Sequence, residues 1–421
     1  MDKLVIEGGR PLKGVVKIGG SKNAALPIMA ATLLTDEPCV LRNFPKLRDT
    51  LTMIKLLRSL GKSVEMTEDK LTITSKGEAN HVAEYKLVST MRGSFCVLGP
   101  LLAKLHKAKV SLPGGCVIGI RPVDLHLKGL KALGTKMEIE NGYVIGTARH
   151  LAGAHIYLGG GFGSSVLATA NVMMAATLAK GETIIESAAC EPEIEDLSNF
   201  LSAMGAKIVG IGSPRLVITG VKKLHGINNY TIIPDRIEAG TYILMAAATG
   251  SNIALQGGCY SHLMALIDNL DQAGVKVIQE DHLIRVKSNK ALKPVSVTTY
   301  PYPGFPTDLQ AQFLALMSLA QGISVITDKV YPDRFMHIAE LNRMGANIRR
   351  EGTNAIVQGV KALHGAPVMA SDLRASAALV IAGLAAQGRT EIHRIYHLER
   401  GYENLDDKLN ALGARVFREK E

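Results

Sequence analysis

Tryptophan is absent from this 421-residue chain, and aromatic residues make up only 5% of it. Its core must be filled by aliphatic side chains and methionine, with 42 glycines permitting close backbone approach. Five scattered cysteines (Cys39, Cys96, Cys116, Cys190 and Cys259) include no Cys-x-x-Cys pair. That argues against a disulfide scaffold or a zinc site and fits a reducing cytoplasm. No uncharged apolar run approaches the roughly 20 residues of a membrane span. Met-Asp-Lys-Leu-Val-Ile-Glu at the N-terminus reads as a strand, without the apolar core of a signal peptide. No run of five basic residues occurs, and no basic stretch is interleaved with aromatics, which argues against nucleic acid. The net charge is nevertheless +10, so small phosphorylated anions remain the partners to expect.

What the chain does contain is a repeat. An apolar residue, two others, an apolar residue and a glycine recur at Leu57–Gly61, Leu130–Gly134, Leu201–Gly205, Leu270–Gly274, Leu341–Gly345 and Leu409–Gly413. The glycines are spaced by 73, 71, 69, 71 and 68 residues. Each unit reads as a helix end with a left-handed glycine cap. Alternating sequence follows, such as Lys207-Ile208-Val209 and then Arg215-Leu216-Val217-Ile218, as a strand, a turn and a strand. An Ala-rich helix precedes each unit, at 24–34, 93–105, 166–178, 239–248, 309–320 and 375–386. Small residues let such helices lie inside a domain beneath sheets. Six copies predict two α/β domains of three copies each, about 210 residues apiece. We expect one domain over 21–229 and the other over 1–20 plus 230–421, joined by two crossings.

The repeat allows comparison of equivalent positions within one chain. Polar residues open the Ala-rich helices: Lys22-Asn23, Arg92, Ser164-Ser165, Arg236 with Glu238, Asp308, and Arg374. Ser165 and Asp308, taken alone, fit ordinary N-caps. Lys22, Arg92 and Arg374 do not, because a cation opposes the helix dipole unless an anion binds there. The loops after the next strands add Arg48-Asp49, Cys116 with Arg121, Glu191, Arg334 and Arg400. Arginine grips carboxylate and phosphate at two points, so this set implies a small, multiply anionic ligand.

Leu112 to His126 is the most chemistry-rich of these loops, with three glycines, two prolines, a thiol and an arginine. It lies between a strand ending near Ser111 and a helix expected over 125–133. Cys116 sits near its middle, where a helix start and Arg121 favour the thiolate.

Long motifs in the chain resemble those of the UDP-N-acetylglucosamine 1-carboxyvinyltransferase family of enolpyruvyl transferases. They are Ser21-Lys22-Asn23-Ala24-Ala25-Leu26-Pro27, Leu112-Pro113-Gly114-Gly115-Cys116 through Arg121-Pro122-Val123-Asp124-Leu125, and Phe305-Pro306-Thr307-Asp308-Leu309-Gln310-Ala311-Gln312. Asp333-Arg334-Phe335-Met336-His337, Asp372-Leu373-Arg374-Ala375-Ser376-Ala377 and Arg394-Ile395-Tyr396-His397 to Arg400-Gly401-Tyr402 complete the set. The resemblance runs from the first strand to Phe417. It implies a two-domain inside-out α/β barrel of six βαβαββ-type units, three per domain. It also implies transfer of the enolpyruvyl group of phosphoenolpyruvate to the 3′-hydroxyl of UDP-N-acetylglucosamine, with release of phosphate and with no metal or organic cofactor. This is the first committed step of peptidoglycan synthesis.

The same resemblance implies residue roles. Cys116 acts as the acid at C3 of phosphoenolpyruvate or assists product release, and Asp308 takes the proton of the 3′-hydroxyl. Lys22, Arg121 and Arg400 hold the phosphate end, Arg334 and Arg374 the carboxylate, with Asn23 beside them. Asn23, Arg92, Arg121, Pro122, Val123, Asp124, Leu125, Asp308 and Val330 contact the nucleotide sugar or shape its site, as do Gly163, Ser164, Ser165 and Val166. One stretch departs from the family pattern, which is approximately Lys-x-Ser-Val-Gly-Ala-Thr at the third Ala-rich helix. Here Gly163 stands at the lysine position and Leu167 at the glycine position, after Gly159-Gly160-Gly161-Phe162. These glycines could cradle phosphates through backbone N–H groups. The alternatives are a 5-enolpyruvylshikimate-3-phosphate synthase-like transferase, which the Cys116 loop opposes, or a weakly active UDP-sugar-binding paralogue.

Overall fold

The computed structural model describes residues 2–68, 70–114, 123–289 and 291–421. Cys116, Arg121 and Pro122 therefore lie outside the described residues. The chain forms two compact units, one of residues 20–233 and the other of 1–19 with 234–421, setting aside 115–122.

Each unit buries three helices beneath sheets. In the first they are Lys22–Ala31, Leu98–Leu105 and Val166–Ala176. In the second they are Arg236–Thr249, Gln310–Met317 and Leu373–Ala385. Every residue of Arg236–Thr249 is buried, as is every residue of Gln310–Met317. A helix with no polar face has no stable place at a surface, so Ala-rich composition drives these helices inward. Close contact follows from small residues. A Cβ on Gly99 would lie 2.2 Å from the Asn171 carbonyl oxygen, so only glycine lets the second and third helices of this unit touch.

Two Ala-rich stretches are not single α-helices. Residues 24–34 end in a 3₁₀ turn, Thr32–Leu34, and 93–105 open with one, Arg92–Val97. Pro100 explains the second break. It has no N–H for the Cys96 carbonyl, so the α-helix starts at Leu98 with the proline in its first turn.

All six repeat glycines, Gly61, Gly134, Gly205, Gly274, Gly345 and Gly413, have φ between 87° and 101°. This is the left-handed geometry that a side chain resists. The sheets each have four strands, and their hairpins alternate buried and exposed positions, as in Arg215–Thr219. Strand Lys107–Ser111 and helix Asp124–Ala132 flank the Cys116 loop.

The first strands of the first and fourth repeats are exchanged. Lys13–Lys17 precedes helix Lys22–Ala31 in the chain, yet belongs to the unit of 1–19 and 234–421 and runs parallel to Asn252–Gln256 there. Ile227–Thr231 precedes helix Arg236–Thr249, yet runs parallel to Cys39–Arg42. A boundary between 229 and 230 would cut this last strand. Its pairing keeps residues through Ile233 with the first unit. Asp2–Glu7 pairs antiparallel with both Arg389–His393 and Arg415–Lys420, and so supplies the last strand of the sixth repeat.

Beside the second crossing, the Tyr230 hydroxyl donates to Asp196 Oδ1 at 2.7 Å, and Asp196 Oδ2 accepts from the Ile233 N–H at 3.3 Å. Burial pushes the Asp196 carboxyl up to about 6, against those two hydrogen bonds and with help from Glu193 and Glu195. A carboxyl raised in the folded state keeps its proton there while the unfolded chain releases it. Its contribution is therefore full below about pH 4 and is lost as pH rises to about 6. Asp196→Asn removes the ionisation. The variant's stability relative to the native chain is expected to rise by ~1–3 kcal/mol between these pH values and stay level above. Urea unfolding across this range checks it.

Candidate functional site

In the unit of 1–19 and 234–421, the repeat brings two helix starts, a third helix and two loops to one cluster. Asp308 lies in the 3₁₀ turn Thr307–Leu309, which leads into helix Gln310–Met317. Its carboxylate is not an N-cap. Oδ1 accepts from Arg334 Nη1 at 2.8 Å and Oδ2 from Arg374 Nη2 at 3.1 Å. Both arginine side chains are almost fully buried, while the Asp308 side chain keeps 26% of its exposure. The carboxylate therefore faces solvent with two guanidinium groups behind it.

Burial opposes the charge of Arg334, but Asp308 and Asp372 outweigh it and raise its pKa. The same balance holds for Arg374, which burial opposes and Asp308 and its other polar neighbours stabilise. Neither arginine uses all its donors: Nε–H of each has no acceptor among the described residues. Such donors suit a second anion.

Supporting contacts fix this geometry. Asp372 caps helix Leu373–Ala385, accepting from the N–H groups of Arg374 and Ala375, and its carboxylate stands 4.0 Å from Arg334. The cap thus removes the conflict between Arg374 and the helix dipole. Thr307 Oγ1 accepts from Arg334 Nη1 at 3.2 Å and donates to Asp328 Oδ2 at 2.7 Å. Asp328 Oδ1 accepts from the N–H groups of Val330 and Tyr331, tying the Val330 loop to the Asp308 turn. Arg400 ends the 3₁₀ segment Ile395–Arg400. Next to it, a Cβ on Gly401 would lie 2.4 Å from Leu373 Cδ1, so this loop packs on the helix that carries Arg374.

Tyr402 was visible in the sequence motif without a role. Its hydroxyl accepts from Arg374 Nη1 and Gln312 Nε2, each at 3.3 Å, and lies 2.9 Å from Thr241 Oγ1. Burial foremost raises its pKa, which keeps the phenol protonated. Tyr402→Phe would leave these buried groups short of a partner and is expected to cost ~1–3 kcal/mol in urea unfolding. His337 is buried as well, and burial pulls its imidazole down to about 4, so it stays neutral beside Arg334.

The unit of 20–233 holds a second cluster. Ser21 caps helix Lys22–Ala31 through the Ala24 N–H, and Lys22 Nζ lies 3.2 Å from Asp49 Oδ2. Both side chains are buried, at 8% and 6% exposure. Asn23 follows on the same first turn. Arg92 opens the segment Arg92–Val97, which packs on this helix so closely that a Cβ on Gly93 would be 2.8 Å from Leu26 Cδ1.

Val123, Asp124 and Leu125 start the helix Asp124–Ala132. Gly160 lies against Leu125, with room of only 3.1 Å for a Cβ. The glycine stretch is a closed turn: Gly160 and Gly163 each donate to the other's carbonyl, at 2.9 and 3.1 Å. The N–H groups of Gly160 and Gly163 are therefore engaged within the turn and are not donors to a phosphate here. Ser165 is an ordinary cap, accepting from the Ala168 N–H at 3.3 Å, with Ser164 before it and Val166 beginning the helix.

The family model described as EPSP synthase (3-phosphoshikimate 1-carboxyvinyltransferase) matches residues 6–409. A UDP-N-acetylglucosamine 1-carboxyvinyltransferase from Lawsonia intracellularis is 54% identical, covering 100% of both chains. One from Methylacidiphilum infernorum is 51% identical over 99% of both. Among solved structures, the enolpyruvyl transferase NikO from Streptomyces tendae superposes with a TM-score of 0.90 at 26% identity, covering 99% of this chain and 98% of that one. EPSP synthase from Acinetobacter baumannii shares the fold, with a TM-score of 0.79 at 19% identity and full coverage of both chains.

Proposed function

The chain belongs to the EPSP synthase family, within its UDP-N-acetylglucosamine 1-carboxyvinyltransferase branch, and on that premise we propose how its residues divide the reaction. It transfers the enolpyruvyl group of phosphoenolpyruvate to the 3′-hydroxyl of UDP-N-acetylglucosamine, the step that commits the sugar to peptidoglycan. The observation that carries the division of roles is the partly exposed Asp308 carboxylate backed by Arg334 and Arg374.

Asp308 accepts the proton of the 3′-hydroxyl as the sugar oxygen bonds to C2 of phosphoenolpyruvate. C3 gains a proton in the same addition, from Cys116, and a tetrahedral adduct forms. Elimination then returns a proton from C3 and breaks the bond from C2 to the phosphate oxygen. The products are the enolpyruvyl ether and inorganic phosphate. Arg334 and Arg374 offer their remaining donors to the substrate carboxylate. Lys22, Arg121 and Arg400 bind its phosphate, with Asn23 beside them. Arg92, Val123–Leu125, Gly163–Val166 and Val330 hold the nucleotide sugar. The reaction needs no cofactor, and its thiol chemistry suits the reducing cytoplasm, where we expect the protein to work.

Phosphate release with phosphoenolpyruvate plus UDP-N-acetylglucosamine is the direct test. Release with shikimate 3-phosphate in its place would overturn the acceptor, and none with either would overturn the activity. Cys116 lies outside the described residues, so its role rests on the loop sequence alone. Cys116→Ser is expected to abolish covalent labelling by a small phosphonate epoxide, because a thiolate opens the ring and a hydroxyl does not. Mass spectrometry of the intact protein reads the adduct, and labelling that persists would refute the assignment.

A further inference from the structure

A cleft of ≈ 310 Å³ lies in the unit of 20–233, at the C-terminal end of helix Arg48–Ser59. Its walls include Leu33, Leu60, Leu101 and Leu105. Asp49, the partner of Lys22, lies at the opposite end of that helix. At 1.5 Å per residue, the roughly eleven residues from Asp49 to Leu60 place the cleft about 16 Å from the Lys22 pair.

One wall carries a buried charge that the proposed reaction does not use. Lys62 is only 7% exposed. Its ammonium donates to the Thr35 carbonyl at 2.6 Å and to Ser75 Oγ at 3.1 Å. Both acceptors are neutral, and no described carboxylate forms an ion pair with it. An ammonium has three donors, so one remains without an acceptor among the described residues. Burial pulls the Lys62 pKa below its ordinary value, with Asp36 opposing. Asp36 forms no ion pair with Lys62 and is linked to it by hydrogen bonds through Ser75, whose hydroxyl donates to Asp36 Oδ1 at 3.3 Å. Its carboxylate is already taken by Lys104 at 2.7 Å and is 70% exposed, where water screens it. Two lysines and one aspartate leave one positive charge in excess. An uncompensated buried charge is costly, and a bound anion with its own hydrogen-bond acceptors relieves that cost.

We propose that this leucine-walled cleft is a binding site for a small monoanion with an apolar body, such as an aryl or medium-chain carboxylate, held by Lys62. Leu105 and the edges of the buried Leu33, Leu60 and Leu101 face the apolar part, and Lys62 and Lys104 receive the carboxylate. The volume is at the lower end of the range for small-molecule sites, about 300–1,000 Å³. A site made only for a bare anion would need no such walls. Because the cleft lies at the far end of helix Arg48–Ser59 from Asp49, its occupant does not compete with phosphoenolpyruvate.

The test uses 2-naphthoate and its neutral counterpart 2-naphthamide on the full chain, by calorimetry. One saturable naphthoate site is expected, with naphthamide weaker by about tenfold or more, the worth of a charge-assisted hydrogen bond. Lys62→Met should weaken naphthoate by a similar factor while naphthamide is unchanged. Ala79→Trp, on the exposed rim, should block both molecules without touching the buried lysine. Thermal melts confirm that each variant is folded. Saturating phosphoenolpyruvate and UDP-N-acetylglucosamine should leave naphthoate affinity unchanged. No saturable binding, equal affinity for the two molecules, wild-type affinity in folded Lys62→Met, or displacement by the substrates would each overturn the proposal.

Discussion

Asp308→Asn is expected to lower turnover by about a thousandfold or more, a barrier increase of ~4 kcal/mol. Two losses combine. The neutral amide cannot take the proton of the sugar hydroxyl. It also leaves two buried guanidinium groups without the carboxylate that now bonds both, at 2.8 and 3.1 Å. Breaking a buried pair by removing one partner typically costs ~3–5 kcal/mol, so urea unfolding should register a loss as well. The two effects separate in Asp308→Glu. That variant keeps the charge and recovers much of the stability, but it shifts the oxygen by one methylene, so turnover stays depressed. Activity within about threefold of the native chain in folded Asp308→Asn would remove this residue from the proton-transfer step.

Lys22→Met is expected to have the second-largest effect, with kcat/KM for phosphoenolpyruvate down by about a hundredfold to a thousandfold, ~3–4 kcal/mol. Stability falls too, because Asp49 is buried and loses the ammonium at 3.2 Å. The double variant Lys22→Met/Asp49→Asn tests whether the two readouts have one cause. Replacing both charges of a buried pair removes the uncompensated ion, so stability should return toward that of the native chain. Activity should not return, since the cation for the substrate phosphate is still missing. Recovery of both would make Lys22 a structural residue only.

Much of the fold is legible without coordinates. The six glycine caps could be found because a left-handed residue at a helix end is a local requirement, and the spacing repeats it six times. The buried helices are legible because alanine-rich sequence without a polar face has one outcome. The long motifs likewise mark Lys22, Asp308, Arg334 and Arg374. Legibility fails wherever two local readings compete. Asp308 at a helix start reads equally as a cap, and only the positions of Arg334 and Arg374 decide against it. The glycines at 159–163 read as four free N–H donors until Gly160 and Gly163 are seen bonded to each other. Tyr402 stands in a conspicuous motif, but its partners Thr241, Gln312 and Arg374 come from three separate repeats.

The amino-acid sequence by itself determined the repeat, its caps, the buried helices and the family. Each rests on interactions within a few residues or on long motifs read in order. The sequence already set residues 1–20 with the second half, but tertiary structure alone decided the strand partners, pairing Lys13–Lys17 with Asn252–Gln256 and keeping Ile227–Thr231 with Cys39–Arg42. It alone decided that one carboxylate serves two arginines and that Lys62 lies buried with no ion pair among the described residues. The physical reason is the same throughout. Pairing partners and charge neighbours are set by contacts across tens to hundreds of residues, and nothing in a residue's immediate sequence specifies what will stand opposite it.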